Sequence, residues 1–406
     1  VETDPGSEFP IARLLDLYKC GPSTCAELRR NDRLNRALSG PFSHFYGNSQ
    51  IAVLYGLLLA KESRYEQAED VLQTVAKSDP GIIRAHTALA YVARLRQNGQ
   101  LALSESQKAV AAWPNNACLH ASLSEAYAQL ASNARHGRYW ADMSNSVRKT
   151  WQDNCEKSID EAYIAVKLDP NCSDGWFSML RNGLQLSNRS DMDEAYRQLT
   201  RMNPTNVDVY TSYAFCFSPQ WGGSDSQQEQ VFAQADKAFP RGSHKPLVVR
   251  ALSLCYNSTG NGRIGSPYAN EVLRLSDGVS RKAGDQSKDA IDVKAQAYEI
   301  NRRRPEFLQV SKLAYEKWGG LTWQYRYGMG CAFAYEDRHD AAYLNKALEL
   351  FSDYRTQVPY DPRGYIQVGW CLSHLGRRAE AKEQFLKALK LDPANESARK
   401  KLQYVQ

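Results

Sequence analysis

Along most of this chain, small and large apolar residues recur every three or four positions, the spacing that lays one face of a helix against a neighbour. The stretch from Tyr365 to Pro393 shows this most clearly. Val368, Gly369 and Leu372 mark one amphipathic helix, Leu375-Gly376 a tight turn, and Ala381, Phe385, Ala388 and Leu389 a second helix stopped by Pro393. Gly369 and Ala381 are small where two helix backbones must approach. Phe385 and Leu372 are large where the space between helices must be filled.

The same design recurs with a fixed period. Pro80 and Pro114 lie 34 residues apart, as do Pro170 and Pro204, and again Pro359 and Pro393. A first helix pair is predicted over 49–81, with Leu59 facing Ala68, Leu72 and Val75, and a second over 83–116, where His86 is a packed side chain at the core edge. The third is interrupted: Pro114 to Pro170 spans 56 residues, about 22 more than one period, and the excess carries Arg138, Tyr139, Trp140 and Trp151. Two readings stand for this insertion: a basic-aromatic contact patch for a partner chain or glycan, or longer helices packing their own aromatics. A fourth pair over 174–204 returns to register. The fifth, 207–240, replaces its turn by Ser218-Pro-Gln-Trp221-Gly222-Gly223, whose indole is expected to cover the helix ends. From 242 to 320 the signature fades, leaving room for two or three degenerate pairs, with Ser276-Asp-Gly read as loop chemistry.

The signature positions of 365–393 resemble the tetratricopeptide repeat (TPR), a helix-turn-helix unit of 34 residues. The resemblance implies an all-α fold, a right-handed α-solenoid of stacked antiparallel helix pairs. The expected divisions are an N-terminal arm and capping helix (1–48), five repeats (49–240, insertion at about 131–153), degenerate repeat-like helices (241–321), and C-terminal repeats with a capping helix (322–406). In the family, ligand contacts come from set positions of each first helix, on the concave wall. Carried over, these are Arg84, Tyr91 and Arg94 in the second repeat, Phe177 and Arg181 in the fourth, and Arg363, Trp370 and His374 in the last. Chaperone-binding members clamp a C-terminal carboxylate with Lys and Asn; Val53 and Leu57 depart from that pattern. A mixture of Arg and aromatic residues suits a peptide, or sugars stacked on rings.

Nine cysteines and a start at Val-Glu-Thr-Asp-Pro, without an apolar signal stretch, lead to the expectation of a secreted or periplasmic mature chain, with a cytoplasmic one as the alternative. Cys20 and Cys25 flank a Gly-Pro turn and are candidates for a local clip. Stacking would bring Cys118 near Cys172, a candidate staple, and Cys331 near Cys371, which are either a second staple or simply buried thiols. The odd cysteine and the N-terminal arm also motivate a homo-oligomer docked head to tail into a filament. The net charge of +6 is spread thinly over 51 basic and 45 acidic residues, which argues against a nucleic-acid partner. No apolar run reaches the length of a membrane span. No nucleophile elbow, phosphate loop or paired metal-ligand spacing is present, so neither enzyme chemistry, cofactor nor metal is expected. The reading is a scaffold for protein partners, self or other, with a monomeric adaptor for a peptide or polysaccharide as the alternative and a hidden enzyme as the third.

Overall fold

The computed structural model describes residues 49–405 apart from 139, 187 and 260–266. Among the described residues there are α-helices and two short 3-10 turns, and no strand. Helices pair in sequence: α1 (Ser49–Lys61) with α2 (Tyr65–Ser78), α3 (Ile83–Leu95) with α4 (Gly99–Ala112), α5 (Ala117–Arg135) with α6 (Asn145–Leu168), α7 (Ser173–Gln185) with α8 (Arg189–Met202), and α9 (Val207–Cys216) with α10 (Asp225–Ala238). Then follow α11 (Lys245–Thr259) with α12 (Pro267–Ala283), α13 (Lys288–Ile300) with α14 (Arg304–Trp318), α15 (Leu321–Arg338) with α16 (Ala341–Gln357), and α17 (Pro362–His374) with α18 (Arg378–Leu391), closed by α19 (Glu396–Val405). From α1 to α13 each first helix also touches the first helix of the next pair, whereas the second helices do not approach one another to that extent. The first helices therefore form the inner, concave layer of an α-solenoid, and the second helices fan out behind them.

Within a pair, a small residue admits a large one. A Cβ on Gly56 would stand 2.6 Å from Leu72, one on Gly328 2.7 Å from Phe351, and one on Gly369 2.6 Å from Phe385. Leu72, Phe351 and Phe385 are each at most 1% exposed, so the contact sets the spacing of the two helices.

Between pairs, a second device recurs. The proline that ends a second helix leaves its carbonyl outside the helical ladder, and the side chain six residues later reaches back to it. Trp176 Nε1 donates to Pro170 O (2.9 Å), Tyr210 Oη to Pro204 O (3.0 Å), Tyr365 Oη to Pro359 O (3.1 Å) and Arg399 Nη2 to Pro393 O (2.6 Å). His86 and His120 take the same place, with Nε2 at 3.2 Å from Pro80 O and 2.8 Å from Pro114 O. Their Nδ1 atoms meet Glu105 and Glu161, each at 2.6 Å. His86 is thus a packed latch, as its register implies. Pro240 is followed six residues on by Pro246, which has no donor, and there the repeat signature fades.

One expectation is corrected. Ser276-Asp-Gly is not a loop but the interior of α12. Leu275 and Val279 are buried around it, Ser276 Oγ bonds back to Leu273 O at 2.7 Å within the helix, and the missing side chain of Gly278 lets Leu247 pack close. The insertion lengthens α5 to 19 residues and α6 to 24, in keeping with the second of its two readings. Trp151 is 6% exposed in a cluster with Ala131 and Cys155, and its indole donates to Gln185 Oε1 at 3.0 Å. Trp140 remains exposed, edge-on to Trp151 and beneath Arg148.

The solenoid returns on itself. Gln357 Oε1, at the end of α16, accepts from the backbone N–H groups of Tyr65 (2.9 Å) and Glu66 (3.4 Å). It supplies a cap to α2 that Arg64, the residue before that helix, does not. Leu321, Tyr354 and Val358 form a buried cluster against which Tyr65 packs. Farther along, Arg138 pairs with Asp392, whose side chain is 3% exposed. This seam joins the first three repeats to the last ones.

Candidate functional site

Among the described residues, four cavities along the inner wall share lining residues. Arg181 and Gln185 line both a cavity of about 460 Å³ against α9 and one of about 480 Å³ beneath α3. Gln97 lines the latter and two more, of about 390 and 430 Å³, under the seam. Gln97 occupies the left-handed turn between α3 and α4 (φ 63°). Its carbonyl accepts from Asn133 Nδ2 at 2.9 Å and its side-chain oxygen from Gln129 Nε2 at 2.7 Å, so the turn is tied to α5.

Several carried-over contact residues meet here. Tyr91 and Arg94 line the cavity under α3; Arg94 binds Glu125 Oε2 at 3.1 Å, and Arg181 approaches Oε1 of the same carboxylate at 3.8 Å. Ser178 Oγ donates to that Oε1 at 2.9 Å. Phe177 lies under the Arg181 guanidinium, 5.4 Å from carbon to ring centre. The second and fourth repeats thus converge on an acid from the third.

Arg363 lines both cavities under the seam. Its guanidinium bonds Asp361 at 2.7 Å and lies over Tyr325, while the Tyr354 hydroxyl donates to Asp361 at 2.6 Å. Asp361 also caps α17 through the Arg363 N–H at 2.9 Å. Burial pushes the Asp361 carboxyl up, but the bonds from Arg363 and Tyr354 outweigh it and hold the group below its usual range. Arg363 itself keeps 62% of its side chain exposed, facing the groove. It is held in place rather than free to sweep, and a fixed guanidinium loses less entropy on binding.

Not every expected residue joins this wall. Arg84 is exposed and lines none of the four cavities. Trp370 and His374 form a separate aromatic group with Tyr335 and His339, with Trp370 and His374 rings 4.5 Å apart. Arg138 serves the seam, and Tyr139 lies outside the described residues. Trp221 sits against two helix ends: its indole meets Phe215, in the last turn of α9, edge-on and Arg135, the last residue of α5, face-on, and it also lines the cavity against α9.

The cysteine staples are likewise corrected. Cys118, Cys172, Cys331 and Cys371 are free thiols; Cys20 and Cys25 lie outside the described residues. Cys331 and Cys371 sit in one buried cluster, where burial pushes both thiols up to about 12, so they act as apolar filling. Burial also raises Cys172, while Cys118 is exposed. No helix among the described residues is long and apolar enough to cross a membrane.

Sequence reasoning does not single out Glu125, Gln97 or Asp361, and it marks Trp221 only as a turn residue and not as part of a cavity. Glu125 had a usable signal, since it stands 34 residues after Tyr91 and extends the same register into the interrupted repeat. Gln97 had none.

Residues 362–395 match the family model of the tetratricopeptide repeat. No curated protein matches the chain. Among solved structures, a TPR protein of the thermophile Thermus thermophilus, TTC0263, is 18% identical, with 51% of this chain and 99% of that one covered and a TM-score of 0.41. YrrB, described as a TPR protein with an unusual peptide-binding site, is 13% identical over 52% of this chain and 96% of its own, at a TM-score of 0.34. A chain of the Cut9–Hcn1 hetero-tetramer of the APC/C is 11% identical over 98% of this chain and 63% of its own, at 0.38.

Proposed function

We propose that this chain is a non-enzymatic scaffold that holds an extended peptide segment of a partner protein against its inner wall. One observation carries the reading: the first helices present Arg94, Arg181 and Arg363, each over or beside an aromatic ring, along connected cavities. Arginine on an aromatic face offers both charge and flat apolar area, the combination that dominates protein recognition. Of the scaffold forms, the adaptor is favoured over a head-to-tail filament, because the seam joins early and late repeats within one chain.

The test is selection of random dodecapeptides displayed on phage against the immobilised chain, with recovered peptides measured by fluorescence anisotropy. Binding should weaken at least tenfold in the double variant Arg94→Ala/Arg363→Ala. Equal binding to that variant, or recovery only of an oligosaccharide ligand from a parallel glycan array, would overturn the peptide reading.

A further inference from the structure

Resting on the inner-wall reading, we propose that the cavity against α9 is the anchor point of the groove, and that it takes a bulky apolar side chain flanked on one side by carboxylates. Its floor is Leu180 and Cys216, 1% and 2% exposed, and its sides are Leu184, Phe215 and Leu252. Of the four cavities described it has the most apolar lining. It has room for a Leu or Phe side chain, which gains most from leaving water there.

The rim is built by an irregular turn that belongs to no repeat position. Gly222 is left-handed (φ 78°), and a Cβ on Gly223 would stand 2.1 Å from the Phe217 carbonyl oxygen, so no side chain fits there. The N–H groups of Gly222 and Gly223 bond Pro219 O (3.1 Å) and Ser218 O (3.2 Å). These constraints hold Trp221 at the mouth with 36% of its surface still open. The Trp-Gly-Gly sequence, otherwise without a task, thus fixes an aromatic lip.

Charge gives the pocket a direction. On the α5 and α7 side stand Arg135, over the Trp221 ring at 5.6 Å, and Arg181 with 56% of its side chain exposed. Arg181 shares Glu125 with Arg94, and Arg94 is the nearer of the two, at 3.1 Å against 3.8 Å. Two guanidiniums over one carboxylate leave positive charge facing the groove. On the opposite side Asp208, in the first turn of α9, presents negative charge. The occupant therefore places Asp or Glu toward Arg135 and Arg181, its apolar side chain in the cavity, and a neutral or basic residue toward Asp208.

The experiment uses the same dodecapeptide library on the whole chain. Recovered sequences should carry Leu, Phe or Trp beside Asp or Glu, and their affinity should fall tenfold or more in Trp221→Ala and in Arg181→Glu. Circular dichroism confirms folding; Arg181 is exposed, so Arg181→Glu keeps the test valid should Trp221→Ala unfold. Changing the peptide acids to Lys should abolish binding to the native chain and restore it with Arg181→Glu. Peptides that lose affinity in Arg94→Ala/Arg363→Ala but not in Trp221→Ala or Arg181→Glu overturn the anchor and leave the inner-wall reading standing. Failure to recover any peptide, or equal affinity for every variant, overturns both.

Discussion

Replacing Arg138 by alanine should open the seam without unfolding the repeats. The substitution strands Asp392, whose side chain is only 3% exposed and whose other hydrogen-bond donor is Asn395 Nδ2 at 3.1 Å. Removing one partner of a buried ion pair costs about 3–5 kcal/mol. The low end applies, because Asn395 stays and the carboxylate can reach water if the seam parts. A cost of about 3 kcal/mol corresponds to roughly a hundredfold shift toward the open form. In a solenoid each repeat leans only on its neighbours, so this energy is released locally rather than by global melting. The amides of Tyr65 and Glu66 report the event, since both donate to Gln357 across the seam. Their hydrogen-exchange protection should fall by about two orders of magnitude, and the radius of gyration from small-angle X-ray scattering should rise. Adding Asp392→Asn should recover most of the loss by removing the stranded charge. Unchanged protection at Tyr65 and Glu66, with a lowered global melting temperature, would refute a seam that opens as a unit.

Gly369→Ala puts a methyl 2.6 Å from Phe385 and should cost about 1–3 kcal/mol of stability in denaturant melts; adding Phe385→Leu should return part of it. In the native protein at pH 8, mass mapping with a thiol reagent should find Cys118 labelled and Cys331 and Cys371 protected until unfolding, because burial holds these two near 12; prompt labelling of either would contradict their packing. Asp361 is held below its ordinary value of 3.8, so its stabilisation is complete above that pH and is lost as pH falls through the lower folded value. Unfolding curves of the native chain and Asp361→Asn should therefore differ above about pH 4 and converge in stronger acid; a constant gap would remove the linkage.

Much of the fold is legible in one dimension because its forces are local. A period of 34 residues, Gly369 opposite Phe385, and a proline followed six positions on by a donor all act within one repeat or its neighbour. Carrying the register across the repeats also located Arg94, Arg181 and Arg363 on the inner wall. Where local chemistry gives two answers, it misled. Ser276-Asp-Gly reads as a turn until Leu275 and Val279 are seen to be buried, and Cys331 with Cys371 reads equally as a bridge or as filling until both are seen as buried, free thiols.

The sequence by itself determined the helices, their pairing and which face of each looks inward, since periodic apolar positions leave a helix one stable way to hide them. The curvature belongs to tertiary structure alone. Small rotations accumulate from repeat to repeat until Gln357 reaches Tyr65 and Arg138 reaches Asp392, contacts 292 and 254 residues apart. No spacing in the chain encodes such a meeting, because it depends on the sum of every packing angle between, and that sum is what closes the seam.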